Sequence, residues 1–410
     1  MNKSIIFLFS LLLVSQFIVS VQSPTSDDIK YLELPSNSIP MGIAYNPKNN
    51  MTYVALNWGS AVYGNGEIAE INTTSRTYIL YELESWHLDY KYPMPFAVAI
   101  DGDGNVWVTI RSFKNTPNQH PLDMLWCIVK FNIESKTIEY IPLSLPSLRG
   151  SETVTFYNDY IWTMNKEYLT KIDYITNTIE GCWNVSFSGY FAIGDNYSND
   201  SLWFSSITNN VVCMFNTTTN TVEEIINGFD RPLGVAVDKD YVYVAENHIK
   251  EPYEPIVNGT IARIDKTIYT VDRIVTNSII TNEGPYSVLK DSYGNLWWTD
   301  NSNNIGVFSL IENLTLNAIG SYCYFMTEVP NSSIWFSCVG SAHIGEITGP
   351  KTPDVNSDGK VSIADIVITI SAFGSEPESE TWNSSADVNS DNRVSITDIV
   401  IVINYFGLVL

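Results

Sequence analysis

The most regular feature of the chain is a recurrence of short apolar strands separated by polar turns. From about residue 40 to residue 348 one unit repeats. A proline-led entry opens onto a hydrophobic strand, a polar turn follows, and the next strand is centred on an aromatic residue. A short isoleucine-rich strand and a Thr/Asn turn complete it. Thus Pro95-Phe96-Ala97-Val98-Ala99-Ile100-Asp101 runs into Gly104-Asn105-Val106-Trp107-Val108-Thr109, and Pro285-Tyr286-Ser287-Val288 runs into Gly294-Asn295-Leu296-Trp297-Trp298-Thr299. The central aromatic recurs as Tyr53, Trp107, Trp162, Trp203, Tyr243, Trp297 and Trp335, six steps of about 47 residues apiece. A period of roughly 40–50 residues with four short strands predicts propeller blades. A lone blade cannot bury both faces of its sheet, and stacking blades around an axis solves that. The seventh copy stops after Ile344-Gly345-Glu346-Ile347, so its fourth strand is expected from Tyr31-Leu32-Glu33-Leu34, which closes the ring and leaves no open edge. The expected fold is all-β, a seven-bladed β-propeller over residues 29–348, followed by a small all-α domain over 354–410.

Beyond the helix-averse linker Gly349-Pro350-Lys351-Thr352-Pro353 the period changes. Two copies of one unit follow, 33 residues apart, with loops at Asp354–Asp365 and Asp387–Asp398. Oxygen side chains occupy positions 1, 3, 5, 9 and 12 of each, the spacing of a calcium loop; calcium is a hard cation that takes oxygen ligands. The expected ligands of two calcium ions are Asp354, Asn356, Asp358, Ser362, Asp365 and the Lys360 carbonyl, then Asp387, Asn389, Asp391, Ser395, Asp398 and the Arg393 carbonyl. Gly359 serves the sharp turn at position 6, and Asn392, which tolerates left-handed backbone, replaces it in the second copy. A helix follows each loop. Ile363, Ile366, Val367, Ile370 and Phe373 share one face, repeated by Ile396, Ile399, Val400, Ile403 and Phe406. That stripe is expected to pack against its mate. Ile368 and Ile401 fall off it, and either widen the core or lie exposed beside Ile363 and Ile396 as two patches for a partner.

The duplicated Asp-x-Asn-x-Asp loop with one following helix, over residues 354 to 407, resembles a type I dockerin. The resemblance implies a cohesin-like protein partner, engaged through positions 10 and 11 of each loop and the adjoining helix. Those positions are Ile363, Ala364, Ile396 and Thr397, which depart from the Ser-Thr pair common in cellulosomal dockerins. The blades resemble the virginiamycin B lyase family of seven-bladed propellers in Pro40-Met41-Gly42-Ile43, Pro232-Leu233-Gly234-Val235 and the run from Trp298 to Gly306. That family places base and substrate-binding histidines directly after the entry prolines of late blades, and a glutamate beside one proline helps hold magnesium. Here Met41, Phe96, Leu233 and Tyr286 stand after the entry prolines, and the seventh blade reads Ser321-Tyr322-Cys323-Tyr324. Glu283 precedes Pro285 by two residues. The resemblance therefore speaks for the fold more than for that lyase chemistry, and no catalytic residue is assigned.

A candidate propeller site comprises Glu246, His248, Asp300 and Tyr286. The first three either share a metal or belong to a solvated loop. Tyr286, Tyr322, Tyr324, Phe96 and Trp58 either line a binding face at one end of the axis or pack between blades. Asp101-Gly102-Asp103-Gly104-Asn105 has the composition of a metal loop, but its place between two strands predicts a hairpin turn.

Composition adds to this picture at three points. A net charge of −23 over 410 residues argues against nucleic acid and phosphate ligands. Residues 1–23 read as a signal peptide, with Lys3 before the apolar run Ile5 to Val14. Ten further N-x-S/T sequons follow, from Asn50 to Asn383, as in a secreted glycoprotein. Five cysteines leave at least one thiol unpaired in an oxidising compartment; Cys323 and Cys338 lie on neighbouring expected strands and either bridge or are simply buried. The expectation is a secreted or cell-surface binding and assembly protein, docked to a cohesin-like partner, with a polysaccharide or cell-surface ligand and no membrane contact after signal cleavage. The alternative is an extracellular carbohydrate-active or lyase-type propeller enzyme in a cellulosome-like complex.

Overall fold

The computed structural model describes residues 25–408, apart from residues 59–64, 86–89, 115–123, 144–150, 166, 188–190, 199, 248–258, 276–283, 301–302, 309–312, 319–321, 331–332, 350 and 390. The expected signal peptide, residues 1–23, lies outside the described residues.

Among the described residues, seven four-stranded antiparallel sheets span residues 38–82, 90–142, 151–184, 191–227, 232–275, 285–317 and 323–348. We number these blades 1 to 7. In blades 1 to 6 the strands follow chain order. Blade 7 takes its fourth strand from the other end of the propeller: Lys30–Glu33 pairs with His343–Thr348 in the register Lys30↔Glu346 to Glu33↔His343. The closing strand expected near Tyr31 is therefore present.

Burial explains the strand composition. The second strand of a blade is covered by both neighbouring blades, so Ser201–Ser206, Leu296–Asp300 and Ser333–Cys338 are buried at every position. Trp107, Trp162, Trp203, Trp297, Trp335 and Tyr53 are the large side chains that fill these interfaces. Fourth strands such as Thr221–Asn227 face solvent on one side and alternate instead.

Side-chain oxygens shape the turns. Asp101 Oδ1 accepts the backbone N–H groups of Asp103 (2.9 Å) and Asn105 (2.8 Å), while Oδ2 accepts Trp107 Nε1 (2.9 Å). Asp291 repeats all three bonds to Tyr293, Asn295 and Trp297. The Asp101–Asn105 segment is thus a hairpin turn that anchors a core tryptophan, as its position predicts. The turn between third and fourth strands opens with Asn72, Asn132, Asp173, Asn216 or Asp265, whose side-chain oxygen accepts the N–H groups two and three residues on. Four residues on, Arg76, Lys136, Asn177 and Tyr269 adopt left-handed backbone and reach the preceding blade. Arg76 pairs with Glu346, Lys136 with Glu70, and Asn177 with Glu139, while the Tyr269 ring meets Trp203.

The C-terminal module contains two helices, α1 (Ile363–Ser371) and α2 (Ile396–Asn404), each opened by a reciprocal capping box from Ser362–Asp365 or Ser395–Asp398. Its core holds Val355, Val361, Ala372, Ala386, Val388, Val394, Ile401 and Val402, with Ile368 packed against it. The rotation of the helices differs from the sequence expectation. The inner face of α1 carries Asp365, Ile368 and Thr369, leading to Ala372, and that of α2 carries Asp398, Ile401 and Val402. Ile363, Val367, Ile370 and Phe373 lie in solvent, as do Ile396, Ile403 and Phe406. The module abuts the hairpin of blade 6 through hydrogen bonds from Thr352 Oγ1 to the Tyr293 carbonyl (3.2 Å) and from Ser357 Oγ to the Ser292 carbonyl (3.0 Å). Among the described residues no helix is long and apolar enough to cross a membrane.

Candidate metal centres and docking faces

The two loops of the module have the same internal geometry. In the first, Asp354 Oδ1 accepts the N–H of Asp358 and Oδ2 that of Gly359, at 3.1 and 2.8 Å. Asp365 Oδ1 accepts Asn356 N–H and Oδ2 accepts Ser362 N–H, at 3.1 and 2.8 Å. In the second, Asp387 holds Asp391 and Asn392 at 3.1 and 3.2 Å, and Asp398 holds Asn389 and Ser395 at 3.2 and 2.8 Å. Position 6 is left-handed in both, with φ of 89° at Gly359 and 65° at Asn392. The N–H groups of Lys360 and Arg393 bond Asp358 and Asp391, which completes the turn of each loop. The hydroxyls of Ser362 and Ser395 also donate to Asp365 and Asp398 within the capping boxes.

These carboxylates are enclosed: Asp354, Asp365, Asp387 and Asp398 are each buried. Burial, with Asp365 and Asp358 alongside, pushes the Asp354 carboxyl above its ordinary range. Such an oxygen-only cage is poor for a proton-free carboxylate by itself and fits a hard divalent cation, which would relieve that repulsion. The two loops are not electrostatically identical, because the linker residue Lys351 places its Nζ 3.1 Å from Asp387 Oδ2.

The halves clasp each other through position 8. Val361 exchanges backbone hydrogen bonds with Gly407 and Leu408 beyond α2, and Val394 does the same with Gly374 and Ser375 beyond α1. Each loop therefore sits against the end of the other helix, and the exposed helix faces point outward as a related pair. Of the expected partner residues, Ile363 and Ile396 are 65% and 62% exposed, and Ala364 and Thr397 are half-buried beside them. Ile368 and Ile401 are corrected: Ile401 is fully buried and Ile368 packs on the same core, so neither forms a surface patch. The outward stripe next to Ile363 and Ile396 consists of the exposed Val367 and Ile370, and of the exposed Ile403 with the half-buried Val400.

The propeller positions resolve differently. Glu246 is buried and bound by Arg273 Nε (2.9 Å), Thr260 Oγ1 (2.6 Å) and the Asp230 N–H (3.0 Å). Its charge is neutralised inside blade 5 by Arg273, so Glu246 is neither in a solvated loop nor free to share a metal. Asp300 is fully buried and accepts both the N–H and Nδ2 of Asn304. His248 lies outside the described residues, as do His87, His120 and Glu283. Among the described residues no cluster of three His, Cys, Asp or Glu side chains could hold a metal ion in the propeller or elsewhere; the candidate ligand sets of the two loops include Asn, Ser and carbonyl oxygens as well. Met41, Phe96 and Leu233, at the lyase family's histidine positions, are buried apolar packing. Tyr286 belongs to a ladder of rings: it stacks on Tyr324 (centroids 4.5 Å apart), which stacks on the exposed Tyr322 (5.9 Å). Phe325 meets Tyr286 edge-on and links the ladder to Phe96. Of the two readings of these rings, a binding face or packing between blades, the contacts of Tyr286 with Tyr324 and Phe325 show packing between blades 6 and 7, and Phe325 is a member that the sequence did not single out.

Comparison with known proteins agrees with this geometry. Residues 352–407 match the family model of the dockerin type I domain. Comparison with curated proteins by sequence gives no match. Among solved structures, one described as streptogramin B lyase superposes with a TM-score of 0.60 at 16% identity, covering 78% of this chain and 96% of that one. The WD40 β-propeller domain of Doa1 (TM-score 0.57, 9% identity, 77% and 95% covered) and a chain of the mitotic checkpoint complex (0.58, 9%, 80% and 96%) share the architecture as well. Such distant likeness establishes the fold alone. The chain is a seven-bladed β-propeller resembling streptogramin B lyase in structure, and it carries a dockerin type I domain at its C-terminal end.

Proposed function

We propose that this chain is a component of an extracellular multiprotein assembly, docked through its dockerin domain to a cohesin-class domain in a calcium-dependent manner. The observation that carries the reading is the pair of exposed apolar stripes, Ile363-Val367-Ile370 and Ile396-Ile403 with Val400 half-buried between them, each beginning at position 10 of a candidate calcium loop. A module this small gains little by leaving its most apolar faces in water, and exposed apolar patches mark protein contacts. Two calcium ions, held by the oxygens at positions 1, 3, 5, 7, 9 and 12 of each loop, would order the loops and so fix both stripes. The propeller would then present its own ligand, a polysaccharide or another cell-surface component. The test is capture of the full chain on an immobilised type I cohesin domain. Combining I363E with I396E should abolish capture while calcium binding persists; undiminished capture would contradict the assigned faces.

The likeness to streptogramin B lyase favours a second reading of the propeller, as a lyase-type or carbohydrate-active enzyme brought to the assembly. Its proton-transfer groups would differ from that family's, since Met41, Phe96 and Leu233 cannot accept a proton. Tyr286 is the one ionisable side chain at those positions. Turnover of a polysaccharide or cyclic depsipeptide that Y286F reduces at least tenfold would support this reading. Binding of the same compound without turnover would favour the first.

A further inference from the structure

In every blade but the fourth, the ladder between first and second strands slips near the blade's entry. The register shifts after Pro40, Pro95, Pro232 and Pro285, which lie opposite Leu56, Ile110, Glu246 and Asp300. A bulge bends the strand that carries it, and the fixed φ of proline stiffens the point where pairing is weakest. Blade 7 has the same slip but no proline. Its register shifts after Cys323, and the residue opposite is Cys338. A cysteine pair therefore stands where four other blades have an entry proline and its cross-strand neighbour.

Three features make this pair suited to a covalent bond. The Val339 N–H donates to the Tyr322 carbonyl at 2.9 Å, so Tyr322 and Val339 form a hydrogen-bonded pair. The next pair along, Cys323 with Cys338, is then of the non-hydrogen-bonded kind, in which opposed Cα atoms lie about 4.5 Å apart and side chains come closest. That separation lies within the range of about 4.4–6.8 Å that disulfides span. Both cysteines are fully buried and stand as free thiols on directly opposed residues. No other cysteines are cross-strand partners among the described residues: Cys127 lies opposite Ile110 and Pro142, Cys182 opposite Thr170, and Cys213 opposite Phe204 and Ile225.

We propose that Cys323 and Cys338 form a disulfide that replaces the entry proline in blade 7 and fixes the strand bearing Tyr322 and Tyr324. The oxidant is a low-molecular-weight disulfide or an enzyme disulfide. One cysteine thiolate attacks it, giving a mixed disulfide and one released thiol. The second thiolate displaces the remaining half, so two protein thiols become one S–S bond while the oxidant is reduced to two thiols. Because both sulfurs are buried in the closed ring, exchange takes place before strand Lys30–Glu33 seals blade 7.

The test is refolding of the full chain in a buffer of oxidised and reduced glutathione, then alkylation in denaturant without reductant. Three of the five cysteines should react, namely Cys127, Cys182 and Cys213, and all five should react after reduction. Peptide mapping should find Cys323 joined to Cys338. In the native protein only the exposed Cys182 should label quickly, since burial pushes the Cys127 and Cys213 thiols up, Cys213 to about 12. A second measurement guards against misfolded variants: wild type should melt several degrees higher oxidised than reduced, and C323S/C338S should match the reduced wild type in both conditions. Five reactive thiols before reduction, a different pairing, or equal melting of the two wild-type forms would overturn the proposal.

Discussion

Glu70 shows how single residues hold neighbouring blades together. It is buried in blade 1, where desolvation alone would raise its pKa, yet the value is lowered. Lys136 from blade 2 bonds both carboxylate oxygens at 2.6 and 2.9 Å, and the hydroxyls of Tyr53 and Tyr81 each donate at 2.7 Å. These bonds favour the charged form enough to outweigh burial. A folded-state pKa below the ordinary 4.5 contributes stability that is fully present above that value and is lost as pH falls through the folded value. We therefore predict that E70Q costs about 2 kcal/mol at pH 7, the scale of hydrogen bonds to a charged group. The difference from wild type should shrink below pH 4.5, as read by urea unfolding across pH. A difference independent of pH would mean that the carboxylate charge plays no part.

At the scale of elements, the strands were largely legible in the sequence and the helix rotation was not. Trp107, Trp297 and their counterparts mark every second strand because each is pressed between two blades, and Tyr31–Leu34 announces the closing strand by filling the gap in the seventh repeat. Removing residues 25–34 should consequently leave the edge of His343–Thr348 unpaired and cause association, which size-exclusion chromatography would detect; a monomer of unchanged stability would argue against closure by this strand. The module helices are apolar on more than one side, so choosing the most apolar stripe as the inner one put Ile363 inside and left Ile401 open. The constraint that decides the matter is polar. Position 12 of each loop, Asp365 or Asp398, sits within its helix and must face the loop, which turns Ile368, Thr369 and Ile401 inward. The expectation that follows is that I401A costs about 2–5 kcal/mol of module stability, whereas I403A, on the exposed stripe, changes it by less than about 0.5 kcal/mol. Similar losses at both positions would contradict the observed rotation. The sequence groups Tyr286, Tyr324 and Tyr322 without ordering them into a ladder, because they come from two blades whose relative placement only the closed ring defines.

The whole molecule joins a large β-structure, stabilised by its own ring closure, to a module too small to bury much surface. Their responses to calcium should accordingly differ. Binding to the native state alone stabilises by about 2.7 kcal/mol at one hundred times the dissociation constant. Chelation should remove one calorimetric transition, that of residues 354–407, and leave the propeller transition in place; a single transition unaffected by chelator would show the loops to be structurally independent of calcium. The account as a whole rests on the module being a calcium-dependent plug for a cohesin-class domain. Its most direct test is isothermal titration of the full chain with a panel of type I cohesin domains, in calcium and again in chelator. The account predicts that at least one cohesin binds at one site per chain with submicromolar affinity in calcium, and that chelator abolishes the heat. Equal binding in both buffers, or none to any cohesin by a chain whose loops are demonstrably loaded with calcium, would contradict it.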